Sequence, residues 1–121
     1  MIDIFTKYLT VIPLNSKDIA DVTAGLLEGF VKMGGSPDMI YADNEGSMGS
    51  PAMEQFFADK NIKHIATRGS APVAERTIRT FKDMLYKRIG NDKDKQWTEF
   101  IYPITLTYNS KISIAQLVLL L

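Results

Sequence analysis

The stretch MIYADNEGS, residues 39–47, joins a short apolar run to a polar turn that carries two carboxylates. Residues 39–42 have the length and composition of an interior strand in a sheet that is covered on both faces. Asp43 and Glu45 then lie on either side of Asn44. Because Asp, Asn and Gly all favour turns, one interpretation is a strand that leaves the core through a polar turn. The other interpretation is that the strand end presents a carboxylate to a metal ion.

Around this stretch, predicted strands and helices alternate. The β-branched and aromatic segments 1–5 and 8–14 predict a hairpin with Thr6-Lys7 between its strands. Capping at Asn15 or Ser16 and a stop at Gly34-Gly35 bound the first helix, whose buried face is Ile19, Val22, Leu26, Phe30 and Met33. A strand at 39–43 is followed by a helix from Pro51 to about Asp59 that buries Met53, Phe56 and Phe57. A strand at 63–67 and a loop at 68–73 come next. The last two predicted elements are a helix at 74–89 and a helix at 97–109 that is kinked at Pro103. This order predicts an α/β fold with parallel strand pairs and helix cover, joined to an antiparallel hairpin.

The helix predicted at 74–89 is strongly amphipathic. Its predicted core stripe is Ala74, Ile78, Phe81, Leu85 and Ile89. At about 100° per residue, a second stripe runs beside the first and consists of Glu75, Arg79, Lys82 and Tyr86. A carboxylate in the first turn is therefore followed along one edge by two cations.

Composition narrows the class of protein. A chain of 121 residues with 45% hydrophobic and 10% aromatic residues can bury one core, and the absence of Cys excludes disulfides and thiolate metal sites. No segment is long and apolar enough to span a bilayer. The net charge is zero, but residues 1–59 carry three Lys against nine acids, whereas residues 60–89 carry eight cations against two acids. This asymmetry indicates either a polyanion partner for the basic part or mutual neutralisation within the fold.

Four motifs, in order, carry a resemblance to a known family. They are IDIFTKYLTVIPLNSKD, GGSPDMIYADNEGS, APVAERTIRTFKDMLYKRI and WTEFIYPITLTYN, which together cover about residues 1–110. They resemble, respectively, the hairpin, the strand with the second metal-binding Asp, the helix with the metal-binding Glu and the closing helix of the catalytic core of retroviral-type integrases. The helix that carries the Glu is most similar to integrases of Maverick-type DNA transposons.

The resemblance implies a ribonuclease-H-like mixed sheet flanked by helices, lacking the first strand. It implies DNA integration by metal-dependent polynucleotidyl transfer, with two Mg²⁺ or Mn²⁺ ions held by three carboxylates in the complete site. Asp43 and Glu75 are the expected catalytic and metal-binding residues. The expected DNA-binding residues are Arg76, Arg79, Lys82, Lys87 and Arg88. DNA is the implied partner, with a homo-oligomer by analogy, no membrane, and a nuclear or cytoplasmic location.

Two departures from the family pattern stand out. The first catalytic Asp belongs on a strand before the hairpin, and Asp3 matches the turn Asp of the hairpin instead, so this chain alone is expected to be inactive. After Asn109 the apolar segment 111–121 does not follow the family pattern; it is either a non-homologous tail, which we favour, or a covering helix. The spacing from Asp43 to Glu75 is also short for the family.

Two interpretations of the function therefore remain open. The first is a mobile-element integrase core, present as a fragment or relic. The second is a non-catalytic nucleic-acid-binding or interaction domain that kept the fold and the basic helix. We interpret Glu45 as a solvated turn acid. The single histidine, His64, has no Cys or His partner in the sequence for a zinc site, so we expect a surface or strand-end position for it.

Overall fold

The structure is a computed structural model that describes residues 1–43, 46–66, 72–90 and 96–120, with the backbone alone described at residue 72 and at 111–120. The chain divides into two compact units. One, the central unit, is Ile12–Pro72, and the other, the terminal unit, combines Met1–Val11 with Val73–Leu121. Among the described helices, none has the length and apolarity needed to cross a membrane.

The central unit contains the parallel strands of the fold. Its elements are helix α1 (Ile19–Lys32), strand β1 (Met39–Ala42), a 3₁₀ turn (Gly46–Gly49), helix α2 (Pro51–Asp59) and strand β2 (Lys63–Ala66). β1 and β2 pair in parallel, with Met39 opposite Lys63 and Ala42 opposite Ala66. A helix connects the two strands, as parallel pairing requires. The strands predicted at 39–43 and 63–67 and their α/β arrangement are therefore confirmed, with β1 one residue shorter than predicted. The expected cover on both faces of β1 is wrong, because Met39 and Tyr41 are 50% and 47% exposed.

One hydrophobic core cluster lies within the central unit, and the terminal unit separately buries Leu9, Leu85, Ile101 and Ile104. Four buried residues form the cluster of the central unit, and partly buried apolar side chains pack around them. The buried residues are Phe30, Met53, Phe57 and Ile62, and their neighbours are Ile19, Val22, Leu26, Ile40, Met48 and Phe56. The predicted buried faces of α1 and α2 are thus confirmed apart from Met33, because helical spacing of three and four brings these side chains onto one side of each helix. Met33 is the capping residue after α1 and is not part of the cluster.

Local hydrogen bonds explain where the helices of this unit begin. Pro51 occupies the first turn of α2, and the Ser50 hydroxyl accepts a hydrogen bond from the Met53 amide at 3.2 Å. The predicted start of α1 needs correction. Its capping position is Asp18, because the Ser16 hydroxyl instead accepts from the Asp18 amide and donates to the Asp21 carboxylate at 2.6 Å. These side-chain bonds hold Ser16 in a turn before the helix.

The terminal unit contains a shorter hairpin than predicted. Within residues 1–14, strand pairing is confined to one antiparallel bridge between Ile2 and Leu9. The partner that continues the sheet at Leu9 is a side chain: Asn109 accepts from the Leu9 amide at 2.8 Å and donates to the Leu9 carbonyl at 2.9 Å. One carboxamide thereby satisfies both backbone groups of a buried residue, as a neighbouring strand would.

The rest of the terminal unit is helical. Helix α3 spans Pro72–Ile89 and helix α4 spans Ile101–Leu120, with a 3₁₀ turn at Trp97–Phe100 before it. α3 begins inside the segment 68–73 that was predicted as a loop. Residues 68–71 of that loop, and residue 67 of the strand predicted at 63–67, lie outside the described residues. Pro103 lies in the first turn of α4, where the missing amide costs no hydrogen bond, so the predicted kink is wrong. The predicted end at residue 109 is also wrong, since the helical backbone continues through the apolar tail; whether that tail is native to the fold stays a prediction.

The buried face of α3 differs from the predicted stripe. Four members of the stripe are buried or partly buried as predicted, namely Ala74, Phe81, Leu85 and Ile89. Ile78 is instead 53% exposed, and Thr77, which was not predicted, is buried. The Thr77 hydroxyl donates to the Val73 carbonyl at 2.8 Å within the helix itself. Because that bond satisfies the hydroxyl, Thr77 can be buried at little cost, and the buried face is displaced toward it.

Candidate metal and nucleic-acid site

Asp43 follows β1 directly, at the edge of the sheet where the carboxyl ends of both parallel strands meet. Open α/β sheets place their ligand sites at that edge. The Asp43 side chain is exposed. Within the described part of the chain, no hydrogen bond or ion pair engages it. It is therefore accessible to a cation, as the metal interpretation requires. Asn44 and Glu45 lie outside the described residues.

Glu75 lies in the first turn of α3, where the helix dipole favours a carboxylate. Its side chain is exposed, as are those of the five predicted DNA-binding cations, Arg76, Arg79, Lys82, Lys87 and Arg88. Tyr86, at the end of the Glu75 stripe, is 63% exposed. The predicted stripe is confirmed as an accessible face of one helix, with a carboxylate at its start and cations along its length.

Asp43 belongs to the central unit and Glu75 to the terminal unit. Each is described within its own unit, so the convergence of the two carboxylates stays a prediction. Over the described ranges, no group of three or more His, Cys, Asp or Glu side chains is arranged to hold a metal ion. Both candidate ligands are hard oxygen donors, the type that Mg²⁺ prefers.

The Asp3 carboxylate binds the backbone of the hairpin turn. Its Oδ1 accepts hydrogen bonds from the Phe5 amide at 2.8 Å and from the Thr6 amide at 3.0 Å. The backbone bond from Thr6 is the largest influence on this carboxyl and lowers its pKa; the Phe5 bond and the charge of Lys7 act in the same direction. This position agrees with the interpretation of Asp3 as the turn Asp of the hairpin.

A cavity of about 260 Å³ lies between α3 and α4 and was not predicted from the sequence. Its lining combines two cations with an apolar and hydroxyl surface, from Met84, Lys87, Arg88, Ile104 and Thr107. The adjacent cations Lys87 and Arg88 indicated anion binding from the sequence alone. Nothing in the sequence indicated which residues of α4 would line the same cavity. This cavity is therefore a candidate anion-binding site at the C-terminal end of α3.

His64 is half-buried at the second residue of β2, so the expected position near a strand end is confirmed and the alternative of a surface position is wrong. Its Nε2 lies 3.3 Å from the Ala42 carbonyl oxygen, and its ring centroid lies 5.3 Å from that of Phe57. Strand pairing and a core aromatic ring thus explain its place. It also lines a second cavity, of about 380 Å³, with Glu54, Phe57, Ala58, Ile62 and Ala66.

Comparisons with known proteins agree with this architecture. No family model matches the chain. It is 29% identical over 116 residues to the retrovirus-related Pol polyprotein from transposon 297 of Drosophila melanogaster, an alignment that covers 92% of this chain and 11% of the polyprotein. The chain thus spans about a ninth of the length of that relative.

Two solved structures share the fold. The HTLV-2 integrase catalytic core, in complex with magnesium in a trimeric form, superposes with a TM-score of 0.74 and 21% identity, over 88% of this chain and 68% of that one. The simian T-cell lymphotropic virus intasome, in complex with PP2A regulatory subunit B56 gamma, gives a TM-score of 0.78 and 19% identity, over 88% of this chain and 39% of its match.

These likenesses define the class first: the fold is α/β and ribonuclease-H-like, as predicted. Sequence and fold together then confirm the resemblance to a retroviral-type integrase catalytic core. A nearer relationship to Maverick-type integrases stays a prediction.

Proposed function

We propose that this chain is part of the catalytic core of a mobile-element integrase, which cuts DNA ends and joins them to target DNA by metal-dependent phosphoryl transfer. The observation that carries the proposal is an exposed Asp43 at the carboxyl edge of the parallel strands, in a fold shared with integrase catalytic cores. Residues 1–110 are the proposed core, and 111–121 the tail outside it.

Asp43 and Glu75 are the proposed metal ligands. Their carboxylates suit Mg²⁺ or Mn²⁺, and the complete site of the family holds two ions. When bound, such ions activate the attacking oxygen and stabilise the leaving oxygen of the phosphoryl transfer. The magnesium in the HTLV-2 core supports the choice of metal. The chain's own contribution is to fix the two carboxylates on a strand end and on a helix start, so that neither relies on a mobile loop.

DNA is the proposed partner of the exposed cations on α3. Arg76, Arg79, Lys82, Lys87 and Arg88 are placed to bind phosphates, which fixes the position of DNA without reading its sequence. The integrase assemblies among the structural relatives support a homo-oligomer as the working form. We propose that the protein acts in the nucleus or the cytoplasm, where it would meet its DNA substrate.

A second candidate function is a DNA-binding domain without catalysis. One observation favours it. The described residues contain no group of three side chains arranged to hold a metal ion, whereas all five predicted DNA-binding cations of α3 are exposed. This alternative keeps the DNA partner and drops the metal. Catalysis by a two-metal site needs a bridging carboxylate, and Asp3 is occupied by its own turn.

The test is strand transfer of a labelled DNA end in Mg²⁺. The 121-residue chain is compared with a version extended at its N-terminus by an Asp-bearing strand from a related integrase core. We expect joining by the extended chain only, and loss of joining on Glu75→Gln or Asp43→Asn. Asp3→Asn in the extended chain is the matched control and leaves joining intact. Binding without joining in every version would favour the non-catalytic domain.

A further inference from the structure

The second cavity, in the central unit, combines one acid with an apolar lining. It has a volume of about 380 Å³ and is lined by residues of α2 and β2 and by Ile62 just before β2. That volume is at the lower end of the range of about 300–1,000 Å³ that small-molecule sites occupy. Among its described lining residues, none is assigned to metal or to DNA.

Glu54 is the charged residue of this cavity. Its side chain is exposed, and within the described part of the chain no hydrogen bond or ion pair engages its carboxylate. The described lining residues include no Lys or Arg that could neutralise it. Lys60, at the end of α2, lies over the Phe56 ring instead, with its Nζ 5.5 Å from the ring centroid. The Glu54 carboxylate is thus accessible to a cation from outside the chain.

His64 adds a hydrogen-bond acceptor to the lining. Its Nε2 lies 3.3 Å from the Ala42 carbonyl oxygen, and because a carbonyl can only accept, Nε2 is the donor of this pair. In the neutral ring the other nitrogen, Nδ1, is then an acceptor. Glu54 and His64 therefore both offer acceptors, which suits a ligand that is rich in N–H donors.

Two rings line the same cavity and favour one kind of cation. The ring centroids of Phe57 and His64 are 5.3 Å apart, with their planes at 51°. A planar guanidinium stacks on aromatic faces and pairs with a carboxylate through two parallel hydrogen bonds, whereas an ammonium is a compact, strongly hydrated charge. Ala58 and Ala66 leave room for the methylene groups of a long side chain. The lining therefore matches arginine better than lysine.

We propose that this cavity binds a guanidinium group on an apolar stem, the chemistry of an arginine side chain that a partner protein presents. The Glu54 carboxylate pairs with the guanidinium, and the rings of Phe57 and His64 stack against it. The charge of the central unit is complementary, since its described side chains include seven acids against four Lys. The site takes neither metal nor DNA, so it stands or fails independently of the proposed function.

NMR titration of the 121-residue chain with N-acetyl-arginine amide tests the site. We expect saturable shifts of the α2 and β2 amides with a dissociation constant on the order of 1 mM, since so small a ligand makes few contacts. N-acetyl-citrulline amide, the uncharged isostere, should bind at least about tenfold more weakly, because it cannot form the charge-assisted pair. Equal binding of the arginine and citrulline probes would overturn the proposal.

Two substitutions test the lining. Glu54→Gln keeps the size of the side chain and should weaken binding of the arginine probe about tenfold, and Ala58→Leu should weaken it by filling the cavity while the charge stays intact. The matched control is Glu28→Gln, which removes an exposed acid of α1 that pairs with Lys32, and it should leave the affinity unchanged. Equal losses in Glu54→Gln and Glu28→Gln would show that only the total charge of the unit attracts the probe, which overturns the proposal.

The capped peptide Ala-Ala-Arg-Ala-Ala distinguishes a protein partner from a free guanidinium compound. Tighter binding of the peptide than of the capped amino acid supports a protein partner. Equal or weaker binding overturns the protein partner and leaves a free guanidinium compound as the ligand. If none of the probes shifts the amides of α2 and β2, the whole proposal is overturned while the proposed function stands.

Discussion

The central and terminal units differ in their core packing, their charge and their exposed aromatic side chains. The cluster of core residues that includes Phe30, Met53 and Phe57 lies in the central unit. The terminal unit buries four hydrophobic residues of its own, Leu9, Leu85, Ile101 and Ile104. The described side chains of the central unit include seven acids against four Lys. The terminal unit has the basic face of α3 and most of the exposed aromatic rings, among them Phe5, Tyr86 and Tyr102.

This difference indicates which substitutions should change the free energy of unfolding and which should change the affinity for DNA. A core of interlocked aromatic and aliphatic side chains tolerates little change, because interiors are close-packed. An exposed face of cations contributes little to folding and much to the attraction of a polyanion. Substitutions in the central unit should therefore change mainly the free energy of unfolding, and those on α3 should change mainly the affinity for DNA.

The largest expected effect is in the core. Phe57 is 2% exposed and contacts Phe56 edge to face, with ring centroids 5.6 Å apart. Phe57→Ala should lower the free energy of unfolding by about 3–5 kcal/mol, measured by urea denaturation. Val31→Ala on exposed α1 surface is the control and should shift it by less than about 0.5 kcal/mol. A cost for Phe57→Ala as small as that of the control would mean that the core is not where we place it.

Charge reversal on α3 should have the next largest effect. Arg79→Glu with Lys82→Glu should weaken DNA binding tenfold or more and flatten its salt dependence, since each lost phosphate contact reduces the slope of log affinity against log salt by about 0.9. The matched control is Lys17→Glu with Lys63→Glu, two exposed cations of the central unit. Equal losses in both pairs would show that total charge, rather than the α3 face, attracts DNA.

The link between the hairpin and α4 is expected to contribute less. Asn109→Ala leaves the amide and carbonyl of Leu9 without their side-chain partner, and Leu9 is only 5% exposed. We expect a loss of about 1–3 kcal/mol in unfolding free energy, with hydrogen exchange fastest at Leu9. Ser110→Ala, which removes an exposed hydroxyl from the same helix, should be neutral. Unchanged protection at Leu9 would contradict the strand-like role of the carboxamide.

The smallest expected effect is the pH dependence of the hairpin turn. The folded-state pKa of Asp3 is lowered, so its contribution to stability is present above its usual value of about 3.9 and is lost as pH falls through the lower folded value. Asp3→Asn keeps the acceptor oxygen and removes the titration. Thermal melting at neutral and acid pH should show a smaller acid-induced loss in the variant; an identical loss would mean that other groups account for it.

Much of the central unit could be predicted because its local signals agree. Pro51 fixed the start of α2, and glycines fixed the end of α1, where Gly34 adopts a φ of +94°. β1 was predictable from an apolar run bounded by turn residues, whereas β2 begins with Lys63 and His64 and has only two apolar residues. In the two helices propensity, periodicity and capping all favour one structure.

The terminal unit was harder to predict because its decisive contacts are side-chain hydrogen bonds. Hydrophobicity alone favoured Ile78 over Thr77 as the buried residue of α3, but an internal hydrogen bond makes Thr77 equally acceptable inside. The pairing of Asn109 with Leu9 joins residues that are 100 positions apart, so no local pattern predicts it. For the candidate site, the residue types and their positions at a strand end and in the first turn of a helix followed from the sequence, whereas the convergence of Asp43 and Glu75 stays a prediction.

The central claim is the prediction, drawn from the resemblance to integrase cores, that Asp43 and Glu75 are both metal ligands. Mn²⁺ titration of the chain, followed by paramagnetic broadening of amide resonances, tests it directly. We predict weak binding, in the millimolar range because only two carboxylates are supplied, with resonances near Asp43 and near Glu75 broadened together. Glu75→Gln should relieve the broadening near residue 75, and Asp43→Asn should relieve it near residue 43. Broadening that survives these substitutions would contradict the claim, as would tight binding of two ions by this chain.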